Sequence, residues 1–178
     1  YKYNSQSSSS SRAMARAAAV RADDVFVSWL PLYHDMGLIC AWLSCLVYAI
    51  PFVVMSPLRF LAAPQRWLQA IHDYRGTLSG APNFAYELCL HRVPDELLGQ
   101  LDLSSWRIAF NGAEPVNPGT MERFAARLAA CGLDPVALAP VYGLAECAVG
   151  LAFTPQRGLL VDAIDRAAFS TRGEALSA

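Results

Sequence analysis

The sequence predicts an α/β domain: a mostly parallel sheet with helices on both faces. Three observations carry this expectation. Short apolar, β-branched runs alternate with helix-like segments along the chain. Several of the strand-like runs end in polar loops, as strands do where they leave a parallel sheet for a binding crevice. Finally, 54% of the 178 residues are hydrophobic and only 16% charged, well under the roughly 25% charged of an ordinary soluble domain. A chain of this size builds one well-buried domain.

The elements follow in order. "DVFVSWL" (Asp24–Leu30) reads as a strand, Leu38–Ala49 as an apolar helix, and "PFVVM" as a short buried strand. Pro64 suits the first turn of a helix, whose apolar face is Trp67, Leu68, Ile71 and Tyr74. "GTLSGAP" is a strand and turn. Pro82 opens a helix with Tyr86, Cys89, Leu90 and Val93 on one side. "WRIAFNGAEP" is a strand running into a loop. Asn117 caps the next helix, with Pro118 in its first position and Gly132 past its end. Met121, Phe124, Ala125 and Leu128 form that helix's buried stripe, with Arg123 and Arg127 facing away. "ALAPVY" (Ala137–Tyr142) is the last strand, and it delivers "GLAE".

Composition excludes several functions. A net charge of −1 with scattered arginines forms no basic stripe for nucleic acid. Cys40, Cys45, Cys89, Cys131 and Cys147 show neither C-x-x-C nor Cys/His ligand spacing, so zinc is not expected. Their apolar neighbours suit reduced core thiols of a cytoplasmic protein. No signal-peptide pattern opens the chain. Met36–Leu58 carries no charged side chain and approaches the length of a membrane span, about 20 residues, but Pro51 and Pro57 interrupt it. A helix followed by a buried strand uses the same letters without a bilayer.

So little polar material implies either an apolar ligand or a piece of a larger protein. Three polar loops, "YHDMG", "NGAEP" and "YGLAE", are expected to converge at one edge of the sheet, with the polar trio Tyr33, His34 and Asp35 at the mouth of the apolar segment. Taken alone, a histidine beside an apolar helix is more often structural, and Asp35 suits a helix cap better than a substrate contact.

Together, "SWLPLYHDMGL", "SGAPNFAYELC", "FNGAEPV" and "YGLAE" resemble the adenylate-forming superfamily, and within it the fatty acyl-AMP ligases; the tail "RGLLVDAIDRAAF" is similar to that branch too. The resemblance covers about residues 12–178 and implies attack of a fatty-acid carboxylate on the α-phosphate of ATP, giving acyl-AMP and pyrophosphate. It implies Glu146 as the Mg²⁺ ligand and, with His34, a catalytic residue. Asn111, Gly112, Ala113, Glu114, Pro115, Tyr142 and Gly143 would bind the nucleotide, Tyr142 by stacking on adenine. Met36 and Gly37 would shape the acyl channel, with Trp42, Leu46, Tyr48 and "PNFAYELC" as further candidates for its wall.

The same resemblance implies an acyl-carrier protein or polyketide synthase as acceptor, with neither nucleic acid nor a membrane span involved. Residues 12–178 would then be one α/β subdomain of an AMP-binding domain, incomplete at both ends and inactive in isolation. Residues 1–11, "YKYNSQSSSSS", differ from the rest: a tag, a splice or a degenerate phosphate loop, with no glycine. No phosphate-binding role is carried over to Ser5, Ser7 or Ser8. Two alternatives stay open: an acyl-CoA synthetase fragment, and a non-catalytic lipid-binding or interaction module.

Overall fold

A computed structural model of the chain describes residues 12–144, 149–154 and 158–178. Six strands, β1 (Phe26–Ser28), β2 (Phe52–Val54), β3 (Leu78–Ala81), β4 (Ile108–Asn111), β5 (Leu138–Tyr142) and β6 (Ala152–Phe153), form one sheet in the order β2-β1-β3-β4-β5-β6. The first five are parallel and β6 is antiparallel. The predicted fold class therefore holds. β3 lies between β1 and β4, so the three loop-bearing strands are not all immediate neighbours.

Side chains alternate across the strands and divide the core in two. On one face Val27, Ala81, Ala109 and Leu138 pack beneath helices α2 (Pro57–Ala62), α3 (Gln65–Asp73), α4 (Asn83–Arg92) and α6 (Pro118–Leu128). A short α5 (Asp95–Leu98) links α4 to β4, and α7 (Arg166–Arg172) follows β6. On the other face Phe26, Leu78, Ile108 and Phe110 pack against helix α1 (Met36–Leu43 and Ser44–Tyr48) and residues 12–20. Trp67 centres the first core: its ring meets Trp29, Phe60, Tyr86 and Trp106 edge-on at centroid distances of 5.3–6.3 Å. Its indole N–H donates to Ser79 Oγ at 2.8 Å, and that hydroxyl donates to the Val27 carbonyl at 2.6 Å. A polar chain thus crosses the apolar core with its donors satisfied.

The capping expectations hold. Asn117 Oδ1 accepts from the Thr120 amide, Pro118 stands in the first turn of α6, and Gly132 closes the following 3₁₀ turn with φ +82°. Arg127 differs from expectation. Its guanidinium turns onto the C-terminal end of α4, donating to the carbonyls of Cys89, Leu90 and Val93 and to Asp95. The last carbonyls of a helix lack internal partners and attract a cation, so Arg127 is drawn inward.

The helix expected over Leu38–Ala49 starts two residues earlier. α1 runs as a π-helix over Met36–Leu43 and continues as an α-helix over Ser44–Tyr48. Among the described residues no helix is long and apolar enough to cross a membrane.

At the amino ends of the strands lies a buried ion pair. Asp24 is 1% exposed. It accepts from Arg107 Nε at 2.8 Å, again from Arg107 Nη2, from Thr77 Oγ1 at 2.6 Å and from the Arg21 amide at 2.7 Å. Burial pushes the Asp24 carboxyl up, but the hydrogen bonds from Arg107, Thr77 and Arg21 and the guanidinium charge outweigh it and hold it below the ordinary 3.8. Its stabilisation is therefore complete above pH 3.8 and is lost as pH falls through the lower folded value. Arg107→Ala leaves this carboxylate buried without its cation and should cost about 3–5 kcal/mol in urea unfolding at neutral pH. Asp24→Asn should weaken the acid dependence of stability below about pH 4.

Candidate functional site

The carboxyl ends of β1, β4 and β5 feed one cavity of about 290 Å³. From the loop after β1 come His34, Asp35 and Met36; from the loop after β4, Ala113; from the end of β5, Tyr142, Gly143 and Leu144. Met14, Cys40, Phe110, Val141 and Phe153 close its inner side. The cavity is thus polar at the mouth and apolar within.

The first loop is held by α1. Asp35 Oδ1 accepts from the Met36 amide at 2.7 Å and caps the helix, the role its position suggested. His34 Nδ1 lies 2.9 Å from the same oxygen and 3.2 Å from the Met36 amide. The Met36 amide donates to Nδ1, which orients the ring and leaves the proton of the neutral imidazole on Nε2 for a ligand. Gly37 is required by close approach: a Cβ there would lie 2.2 Å from the Pro31 carbonyl oxygen. Gly37 lets α1 sit against the loop but does not itself line the cavity.

The second loop divides its residues. Ala113 has φ +68°, a left-handed turn that brings it to the cavity wall. Asn111 is fully buried beneath α6, donating to Asn83 Oδ1 at 3.2 Å, while its own Oδ1 has no partner among the described residues. Gly112 packs against Val141. Glu114 accepts from the Phe84 amide at 2.5 Å, placing a carboxylate on the N-terminus of α4 where the helix dipole favours it. Asn111, Gly112, Glu114 and Pro115 therefore frame the loop, and Ala113 alone of the five reaches the wall.

At the third loop the chain doubles back. Gly143 passes so close to Val149 that a Cβ would fall 1.4 Å from its carbonyl oxygen. The Val149 amide donates to the Leu144 carbonyl at 3.1 Å, and the Leu151 amide to the Tyr142 carbonyl at 3.0 Å. Tyr142 is 62% exposed and lines the cavity. Glu146 and Cys147 lie outside the described residues. In sequence Glu146 falls between Leu144 and Val149, both of which line the cavity.

Sequence reasoning missed part of the inner wall. Trp42 and Leu46 face outward, and Met36, Cys40 and Ser44 of α1 turn toward the sheet instead. Met14, which also lines the cavity, lies outside the family motifs. Its signal was the spacing of Met14, Ala15 and Ala18 in "RAMARAAAV", which marks one buried helical face.

A parallel sheet whose strand-end loops gather histidine, tyrosine and glycine around one cavity has the layout of a nucleotide-binding α/β enzyme. The AMP-binding enzyme family matches residues 3–172, and the chain belongs to that family. It is 50% identical over 122 residues to the medium-chain-fatty-acid–[acyl-carrier-protein] ligase TtuA of Teredinibacter turnerae, covering 68% of this chain and 19% of that protein. It is 43% identical over 137 residues to the long-chain-fatty-acid–AMP ligase FadD26 of Mycobacterium marinum, covering 77% and 23%. The solved fatty acyl-adenylate ligase of L. pneumophila in complex with acyl adenylate and pyrophosphate superposes with a TM-score of 0.85 at 36% identity, over 90% of this chain and 29% of that one. The chain thus spans about a fifth of the length of the curated relatives it matches.

The thiol in the cavity wall gives a test of this geometry. Cys40 is partly exposed to the cavity, but desolvation by its apolar surroundings, with a smaller push from the Asp35 carboxylate, raises its thiol to about 12. Thiolate is the reactive form, so Cys40 should resist iodoacetamide at pH 8 in the folded protein and react after denaturation, as peptide mass spectrometry would record. Prompt alkylation of Cys40 in the native state would contradict the cavity as described.

Proposed function

We propose that the chain is the central α/β portion of a cytoplasmic fatty acyl-AMP ligase. That enzyme would activate a fatty acid with ATP, release pyrophosphate, and pass the acyl group to an acyl-carrier protein or polyketide synthase. One observation carries the reading: loops from three strands meet at a single cavity whose mouth is polar and whose interior is apolar. Such a gradient suits a charged head joined to a hydrocarbon tail. Similarity to TtuA supports the carrier protein as acceptor, since that relative is named for it.

The chemistry asks little of an acid–base group. A fatty-acid carboxyl is ionised at neutral pH, so its oxygen attacks the α-phosphorus directly. The bond to the β-phosphate oxygen breaks and pyrophosphate leaves with that electron pair. What the site supplies is alignment and countercharge. His34, oriented through the Met36 amide, is positioned to donate from Nε2 to negative charge building on the reacting carboxylate and phosphate oxygens. Tyr142 offers its face to adenine, while Ala113 and Gly143 let the backbone approach the base. Buried Asn111 and Gly112, with Glu114 and Pro115 at the surface, frame that loop, and Gly37 lets Met36 stand at the channel mouth.

Glu146 would hold Mg²⁺. Among the described residues no cluster of three or more His, Cys, Asp or Glu side chains forms a metal cage. Magnesium bound through ATP phosphates needs only one or two protein carboxylates. A single hard acid between two cavity-wall residues fits that donor set. When bound, the ion neutralises phosphate charge.

The deciding experiment is fatty-acid-dependent exchange of labelled pyrophosphate into ATP by the full-length enzyme. Acyl-AMP should accumulate and pass to a carrier protein; accumulation of acyl-CoA instead would make the enzyme an acyl-CoA synthetase. Lipid binding indifferent to Mg·ATP, with no exchange, would make it a binding module. Glu146→Gln and His34→Ala should each lower the exchange rate by about 10²-fold or more. Tyr142→Ala should chiefly raise the KM for ATP, and chelation of Mg²⁺ should abolish exchange. The isolated 178-residue chain should show no exchange.

A further inference from the structure

The apolar end of the cavity is a partition. Behind it, on the same face of the sheet, lies a small chamber of about 20 Å³. Cavity and chamber share four wall residues: Met14, Cys40, Phe110 and Phe153. Met36 lines only the outer cavity, Cys40 both, and Ser44 only the inner chamber. Helix α1 therefore presents a track leading from the mouth, past the partition, to the interior. The one hydroxyl on that track is already used, since Ser44 Oγ donates to the Ile39 carbonyl at 3.0 Å. Ala18, Phe26, Ile50 and Leu78 make the chamber apolar.

The four members of the partition differ in freedom. Phe110 is in β4, Phe153 in β6 and Cys40 in α1, each within a hydrogen-bonded element. Met14 is an unbranched side chain on the helical turn of residues 12–17, and such a side chain adapts to irregular gaps. Its tip fills the space beside Gly150, where a Cβ would lie 2.7 Å from Met14 Sδ. With Met14 in place the inner chamber has room for about one water molecule. The outer cavity, about 290 Å³, sits at the small end of ligand pockets.

We infer that Met14 is the residue that limits the length of the acyl chain this site accepts. The inference rests on the fatty-acid reading above. A tail lying along Met36 and Cys40 ends against the Met14 thioether, and a longer tail needs the space that side chain occupies. The residue is a positioning stop and takes no part in the chemistry.

Length selectivity of the full-length enzyme tests it, using octanoate, dodecanoate and palmitate in the pyrophosphate-exchange assay. Met14→Ala should raise kcat/KM for palmitate relative to octanoate by about tenfold, the effect of a few newly buried methylenes. Adding Ala18→Leu should fill the opened chamber and reverse the gain. Met14→Phe, which keeps the position filled should the alanine variant fold poorly, should shift preference toward octanoate. Unchanged ratios in folded variants that still activate octanoate would overturn the role of Met14 and leave the fatty-acid reading intact. If the unsubstituted enzyme activates none of the three acids, the substrate reading fails and this inference with it.

Discussion

The buried pair of Asp24 and Arg107 is the constraint on which the rest of the structure depends. Asp24 precedes β1, Thr77 precedes β3 and Arg107 precedes β4, so one cluster ties three strands at their amino ends. Arg107 also donates to the carbonyls of Ala18 at 3.1 Å and Ala19 at 3.0 Å, anchoring residues 12–20 to the sheet. Charges taken out of water are stabilising only when their hydrogen bonds are complete. Here five donors converge on, or radiate from, the pair. With the amino ends fixed in register, the loops at the opposite ends emerge at set heights, and His34, Ala113 and Tyr142 meet across a cavity they do not themselves hold together.

Much of this arrangement was legible in the sequence because its signals are local. A cap such as Asn117 followed by Pro118, a proline opening α4, and the short apolar run Ile108, Ala109 and Phe110 each depend on a few adjacent residues. The convergence of the loops was legible too, because a parallel sheet delivers its strand ends to one edge. What escaped was long-range. Nothing near Arg107 points to Asp24, 83 residues away. Arg127 resembles a solvent-facing helix arginine until α4 ends beside it, and Glu114 sits in a ligand-loop motif but is taken up by a helix terminus 30 residues back.

The site itself divides along the same line. Residue types came from motif and chemistry, whereas the choice of which side chains reach the wall came from packing. Ala113 does so because of its left-handed backbone, and Asn111 does not because the pleat sends it to the opposite face. The inner wall was the least legible part. The first eight residues of α1 are π-helical, and a turn wider than the α-helical one changes which positions align.

That wider turn also bears on how such a channel changes over time. An i→i+5 ring holds one more residue than an i→i+4 ring, so loss of one codon in the Met36–Leu43 stretch can be absorbed by tightening the coil, with little disturbance to either end. The strands and the residues beyond the deletion would keep their places, while the side chains within the tightened stretch would realign and change the cavity wall in one genetic step.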